Sequence, residues 1–261
     1  MDPISLQASG PVARLLINHP QKRNAFTRQM WRSLPGLVRQ ACEDARHRVL
    51  VLQSAHPGMF AAGADISEFE TTYASAQEAQ RASQEIEDAG AALESCKLPV
   101  VALIDGACVG GGLALAMACD IRIASERSRF GITAARLGLS YPLEDIRRLV
   151  RACGLAAASE LLFGGLLWPA SRALQAGLLN QVHEGPDLEA AAAPLLAGLT
   201  GSSRDATIAL KQGLHAVVSR EDSAMQTARR NFIDLFSGAD FLEGRDAFLQ
   251  KRPAVFPSHQ T

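Results

Sequence analysis

Two short glycine-bearing segments carry the chemistry that can be read from this chain. The first is Phe60-Ala61-Ala62-Gly63-Ala64-Asp65-Ile66, and the second, Gly110-Gly111-Gly112, opens an apolar run that ends at Asp120. Small residues let a turn bring main-chain N–H groups close to a ligand. Two such turns can each aim one amide at the same oxygen, making an oxyanion hole that needs no acidic or basic side chain. Taken alone, Gly110 to Gly112 could equally serve close helix packing. No G-x-x-x-x-G-K-[ST] phosphate loop and no G-x-S-x-G nucleophile elbow accompanies them. The 6 histidines show no ligand spacing, so no metal site is expected.

The elements that must hold these turns alternate. Val12 to Ile17 predicts a strand, Thr27 to Ala45 a helix capped by Thr27, and Val49 to Gln53 a second strand. Pro35 predicts a kink or a break in that helix. Ser75 to Cys96 is rich in Ala, Glu and Gln and predicts a helix, whereas Val100 to Ile104 is a continuous apolar strand of the kind covered on both faces. Ile121 to Ala124 adds a strand. The rest predicts helices at Asp145–Ala152, Leu155–Phe163, Pro169–Ala176, Asp187–Leu199, Arg204–Val218, Glu221–Phe236 and Asp240–Lys251. This grammar gives an α/β fold with mostly parallel pairing, with 1–196 as core and 197–261 as a helical C-terminal region.

Composition limits the partners. With 261 residues, 48% of them hydrophobic, the chain can bury a large core. A formal net charge of −1 supplies no basic field, which argues against nucleic acid and anionic membranes. The 5 cysteines form no C-x-x-C pair, which predicts reduced, mostly buried thiols in a reducing compartment. The N-terminus has no secretory pattern and the apolar run from Ala107 to Cys119 is too short to span a bilayer, so a cytoplasmic protein is expected.

Ordered blocks along almost the whole chain carry a resemblance. Asn18-His19-Pro20-Gln21-Lys22-Arg23-Asn24-Ala25-Phe26, the two glycine segments, Asp105-Gly106, Cys119-Asp120, Ala176-Gly177-Leu178-Leu179-Asn180 and the tail from Glu243 to Pro253 resemble the crotonase (enoyl-CoA hydratase/isomerase) superfamily. The resemblance implies a crotonase-type spiral of ββα units with a helical C-terminal region that trimerises. It implies an acyl-CoA substrate, with coenzyme A as part of that substrate and no separate cofactor. It assigns the oxyanion-hole amides to Ala64 and Gly111, and the nucleotide and pantetheine site to Ala25, Ala62, Asp65 and Ile66. Lys251 matches a tail lysine that in relatives reaches phosphate from a neighbouring subunit; a solvated lysine is the plain alternative. A homotrimer or dimer of trimers follows from the same resemblance.

The sequence departs from the pattern where hydratases carry two glutamates, since both positions are alanine, Ala114 and Ala134. Adding water across a double bond requires one group to activate the water and another to deliver a proton. Two alanines do neither, so the two-glutamate hydratase mechanism is not expected. Leu137-Gly138-Leu139-Ser140-Tyr141-Pro142-Leu143 is similar to a segment of methylmalonyl-CoA decarboxylases, which implies that Tyr141 orients a substrate carboxylate or lies beside the reacting carbon. Loss of CO₂ creates an enolate without a base, so decarboxylation of a malonyl-type CoA ester is the first expectation. Isomerisation or hydration with Glu144 as the acid is the second, with Asp145 serving the helix start. A non-catalytic acyl-CoA-binding homologue is the third.

Overall fold

The computed structural model describes residues 2–185 and 187–259. A six-stranded sheet contains β1 (Ile4–Ser9), β2 (Val12–Ile17) and β3 (Val49–Ser54), and a smaller sheet begins at β4 (Met59–Ala61). Along the chain follow β5 (Val100–Ile104), β6 (Ala107–Val109), β7 (Ile121–Ser125), β8 (Arg129–Gly131), β9 (Trp168–Pro169) and β10 (Gln181–His183). The large sheet runs β1-β2-β3-β5-β7-β10 and is parallel except for the β1–β2 hairpin. The small sheet runs β4-β6-β8-β9, with only β8–β9 antiparallel.

The helices are α1 (Arg28–Glu43), α2 (Phe69–Thr72), α3 (Ala76–Glu94), α4 (Gly111–Ala118) and α5 (Leu143–Gly164). Then come α6 (Ala170–Gln175), α7 (Leu188–Gly201), α8 (Arg204–Ser219), α9 (Asp222–Asp234) and α10 (Ala239–Leu249). Three successive turns of chain each lay one long strand in the large sheet, one short strand in the small sheet, and then a helix. They are β3-β4-α3, β5-β6-α4 and β7-β8-α5, the spiral of ββα units that the family resemblance implies.

Strand alternation explains the continuous apolar runs. Leu50 and Leu52 of β3, with Val100, Ala102 and Ile104 of β5, enter the main core beneath α1, α3 and α4. Val49, Val51, Val101 and Leu103 face the other way and pack against Ala192 and Leu196 of α7. Thr27 caps α1 by accepting from the Met30 amide, and Ser75 caps α3 through the Glu78 amide.

One expectation changes. Helix α1 runs unbroken through Pro35, because Met30, Trp31, Leu34 and Val38 are buried on one face and that burial outweighs the one lost hydrogen bond. The two helices predicted on either side of Gly154 are both present within the span of α5, because Gly154 at φ 76° and ψ 165° is not helical and kinks the chain between them. The boundary near Ala197 falls inside α7. No described helix is long and apolar enough to cross a membrane.

Candidate active site

The first turn is held from behind by Asn24. This residue is fully buried, sits at φ 55°, and donates to Ser54 Oγ and to the carbonyls of Met59 and Phe60 at 2.8–3.1 Å. Its Oδ1 accepts from the His19 amide. The Ala62 amide donates to the Arg23 carbonyl, Phe26 N–H to the Gly63 carbonyl, and Asp65 N–H to the Phe26 carbonyl. The Ala62 and Asp65 amides are therefore tied back to the chain, while the Ala64 N–H between them has no partner among the described residues.

The second turn meets the first edge to edge. Gly63 lies at φ +104°, and a Cβ there would stand 3.1 Å from the Val109 carbonyl and 3.4 Å from the Gly111 nitrogen. Gly110, at φ +51°, precedes α4, and its carbonyl accepts from the Ala114 amide. Gly111 is the first residue of α4, so its N–H has no intrahelical acceptor. A Cβ on Gly111 would lie 3.7 Å from the Ala64 nitrogen and 2.9 Å from the Trp31 ring. The unpartnered Ala64 and Gly111 amides thus stand side by side, with the α4 dipole adding partial positive charge at Gly111.

Both amides border a cleft of about 370 Å³. Its walls are mainly apolar, including Trp31, Ile66, Phe69, Ile86 and Leu139. Tyr141 lines it and donates its hydroxyl to the Gly110 carbonyl at 2.9 Å, which pins the second turn. Burial, with Asp145 and Cys108 nearby, pushes this phenol well above its ordinary value. Asp145 is the sole carboxylate among the residues lining the cleft, and it is 5% exposed. Burial raises its pKa, although Arg148 donates to it at 2.8 Å and opposes the shift.

Arg148 is itself buried and pairs with Glu94 of α3 at 2.8 Å as well as with Asp145. Glu94 also holds Arg147 and Arg151 at 3.0 and 2.9 Å. Burial opposes ionisation of Glu94, but the three guanidinium groups outweigh it and lower its pKa. Space for the Arg148 fork exists because residue 90 is glycine; a Cβ there would meet Nη1 at 2.7 Å.

The structure separates the residues expected from sequence. Ala62, Ala64, Ile66, Gly111, Ala134 and Tyr141 border the cleft together. Ala114 is buried in the first turn of α4 and outside the lining, and Ala25 is buried behind the first turn. Asp65 turns inward to cap the Ile66–Glu68 turn through Ser67, with Lys22 at 3.8 Å. Glu144 is paired with Arg147 at 2.6 Å and does not line the cleft, so the acid that faces it is Asp145 instead. Pro142 occupies the N-cap of α5, leaving the Asp145 side chain for Arg148 rather than for capping. Lys251 is exposed just beyond α10, at φ 54°, and is not among the residues lining the cleft. Trp31 was not singled out by sequence, and Asp145 was read only as an acid serving the helix start. The signal for Trp31 is its place on the buried face of α1, whereas nothing local marks the aim of Asp145. Among the described residues no cluster of three His, Cys, Asp or Glu side chains could hold a metal ion.

Comparison with known proteins identifies the family. The chain matches the enoyl-CoA hydratase/isomerase family over residues 7–259. It belongs to that family. A probable enoyl-CoA hydratase of Bacillus subtilis is 35% identical over 263 residues, covering 98% of this chain and 99% of the relative. The crotonyl-CoA hydratase of Syntrophomonas wolfei is 30% identical over 259 residues, covering 98% of each. A crystal structure of an enoyl-CoA hydratase/isomerase family protein from Hyphomonas neptunium superposes with a TM-score of 0.94 at 39% identity, over 98% of both chains.

Proposed function

We propose that this family member is an acyl-CoA enzyme that forms and reprotonates a thioester enolate, with one carboxylate, Asp145, handling the proton. The observation that carries the reading is the pair of unpartnered amides, Ala64 and Gly111, bordering a cleft whose sole carboxylate is Asp145. The reaction that needs no more than this is double-bond migration in a 3-enoyl-CoA. Asp145 takes a proton from the α-carbon, the electron pair moves onto the thioester oxygen held by the two amides, and the proton returns at the γ-carbon. A single base–acid suffices for that step, whereas hydration requires two groups acting together. The raised pKa of Asp145 makes it a stronger base than an ordinary aspartate.

Decarboxylation of a malonyl-type CoA ester is the second reading, favoured by the apolar walls and by alanine at 114 and 134. The substrate itself would supply the enolate, and Asp145 or the Tyr141 hydroxyl would return a proton. Coenzyme A enters only as part of the substrate, with Ala25, Ala62, Asp65 and Ile66 on its side of the site. An assembly of three or six chains, with Lys251 of a neighbour at a phosphate, belongs to the same proposal. Exposed Leu210, Leu214, Phe232 and Ile233 on α8 and α9 support such a contact. Five free cysteines support a cytoplasmic, reducing setting.

The test is a panel of 3-enoyl-, 2-enoyl-, malonyl- and methylmalonyl-CoA esters, followed for double-bond migration, water addition and CO₂ release, with wild type and Asp145→Asn. Isomerisation lost about 10²–10⁴-fold in the variant is the expected result. Fast water addition by both proteins would contradict the reading, and CO₂ release would select the second. Tight ester binding with no turnover anywhere would leave a binding protein.

A further inference from the structure

Away from the cleft, two thiols meet. Cys42, in the last turn of α1, and Cys96, in the link between α3 and β5, place their sulfurs 3.0 Å apart. We propose that Cys42 and Cys96 form a reversible redox site, a dithiol that a small hydroperoxide converts to an intramolecular disulfide.

The two sulfurs are unequal, and the surroundings say which one reacts first. Cys42 is partly exposed, whereas Cys96 is 4% exposed. The Cys96 S–H, the main-chain amides of Lys97 and Leu98, and the Lys211 ammonium all favour a Cys42 thiolate and outweigh its burial, lowering its pKa to about 6. The contact with Cys42 and burial together push Cys96 up. Lys211 is fixed for this role, donating to the Leu98 carbonyl at 3.0 Å and to Asp120 at 2.7 Å. The charged groups around the pair are thus Lys211 of α8, Asp120 behind it, and Lys97. His215 stands 3.9 Å from Asp120. A cavity of about 440 Å³, lined by Cys96, Lys97, Lys211 and His215, borders the Cys96 side of the pair, while Cys42 is reached through its own partial exposure.

The chemistry balances in two steps. The Cys42 thiolate attacks a peroxide oxygen, an S–O bond forms as the O–O bond breaks, and the departing alkoxide or hydroxide takes up a proton. Cys96 then attacks the Cys42 sulfur, the S–S bond forms as the S–O bond breaks, and hydroxide leaves as water with the Cys96 proton. Two thiols are oxidised by two electrons and one peroxide is reduced. From 3.0 Å the sulfurs close by about 1 Å to reach a disulfide bond length, so the helices need no large rearrangement. The other thiols are poor competitors. Cys108 and Cys119 are buried with raised pKa, and burial also raises Cys153.

The test treats the purified full chain with hydrogen peroxide and maps peptides by mass spectrometry. One crosslink joining Cys42 to Cys96, reversed by dithiothreitol, is expected, together with a rise in Tm on the order of 5–10 °C from closing the intervening loop. Cys96→Ser should halt the reaction at a dimedone-reactive Cys42, and Cys42→Ser should leave Cys96 unmodified. A crosslink elsewhere, oxidation confined to single cysteines in the wild-type chain, or equal reactivity of Cys96 in Cys42→Ser would overturn the proposal.

Discussion

Adding one methyl group at Gly111 probes the two-amide site at its tightest point. The new Cβ would stand 2.9 Å from Trp31 Cζ2 and 3.0 Å from Cη2. Carbon atoms pack best at about 3.5–4.0 Å, so between half and one ångström is missing. Trp31 has little freedom to yield, being 4% exposed with its ring centroid 4.6 Å from that of Phe26. The start of α4 must therefore move, and with it the Gly111 N–H. Removing or misaligning one oxyanion-hole donor costs about 10²–10³ in kcat, or about 3–4 kcal/mol. Overpacking should cost about 1–3 kcal/mol of stability and lower Tm by several degrees. Steady-state kinetics on the CoA ester that wild type turns over, run beside thermal unfolding, separate the two effects. The expected result for Gly111→Ala is a fall in kcat with KM nearly unchanged. Trp31→Phe, which removes the outer indole atoms, should return part of the loss when combined with it. Full turnover in Gly111→Ala, or losses in the double variant that simply add, would refute the reasoning.

Two other substitutions test the supports. Gly90→Ala places a Cβ 2.7 Å from Arg148 Nη1 and should displace the guanidinium from Asp145 and Glu94. Its net effect is expected to be destabilising by about 1–3 kcal/mol despite the better helix propensity of alanine, with the acid limb of the pH–rate profile moved upward; a gain in Tm would contradict this. Asp105 accepts from the Gly58 amide and from Ser125, and pairs with Arg127. Burial raises its pKa, but Arg127, Ser125 and the Gly58 amide outweigh burial and hold it at about 2 against an ordinary 3.8. A carboxyl depressed this far in the folded state contributes stability above its unfolded pKa and loses it as pH falls through the folded one. Asp105→Asn should therefore cost about 2 kcal/mol at neutral pH, with the gap to wild type narrowing between about pH 4 and 2. A gap independent of pH in denaturant titrations would contradict the assignment.

Long, strongly patterned elements were legible in the sequence. Strand β5 matches its apolar run at both ends, and α1 and α3 begin beside the caps that Thr27 and Ser75 announce. The β1 strand went unread, as did the two- and three-residue strands β4, β6, β8, β9 and β10. The short strands exist only because the spiral stacks them, and a few residues carry no usable period. The glycine turns were legible for the opposite reason, since Gly63 and Gly110 require a backbone that other residues rarely adopt. Asp145 was read as an acid of the helix start, and it does stand in the first turn of α5, but its burial at the cleft was hidden because an acid in a first turn ordinarily stays near solvent. Its actual direction is set by Arg148, and that arginine is placed by Glu94 and by the gap at Gly90, both on a distant helix. Asn24 is similar, a turn residue whose buried hydrogen bonds reach chain segments about thirty residues on.

The most direct test of the two-amide claim is a crystal structure of the protein with a non-hydrolysable acyl-CoA analogue bound. The account predicts the carbonyl oxygen about 2.7–3.1 Å from both the Ala64 and Gly111 nitrogens, with the Asp145 carboxylate facing the α-carbon. A carbonyl oxygen bound elsewhere, or an Asp145 carboxylate turned away from the ligand, would contradict it.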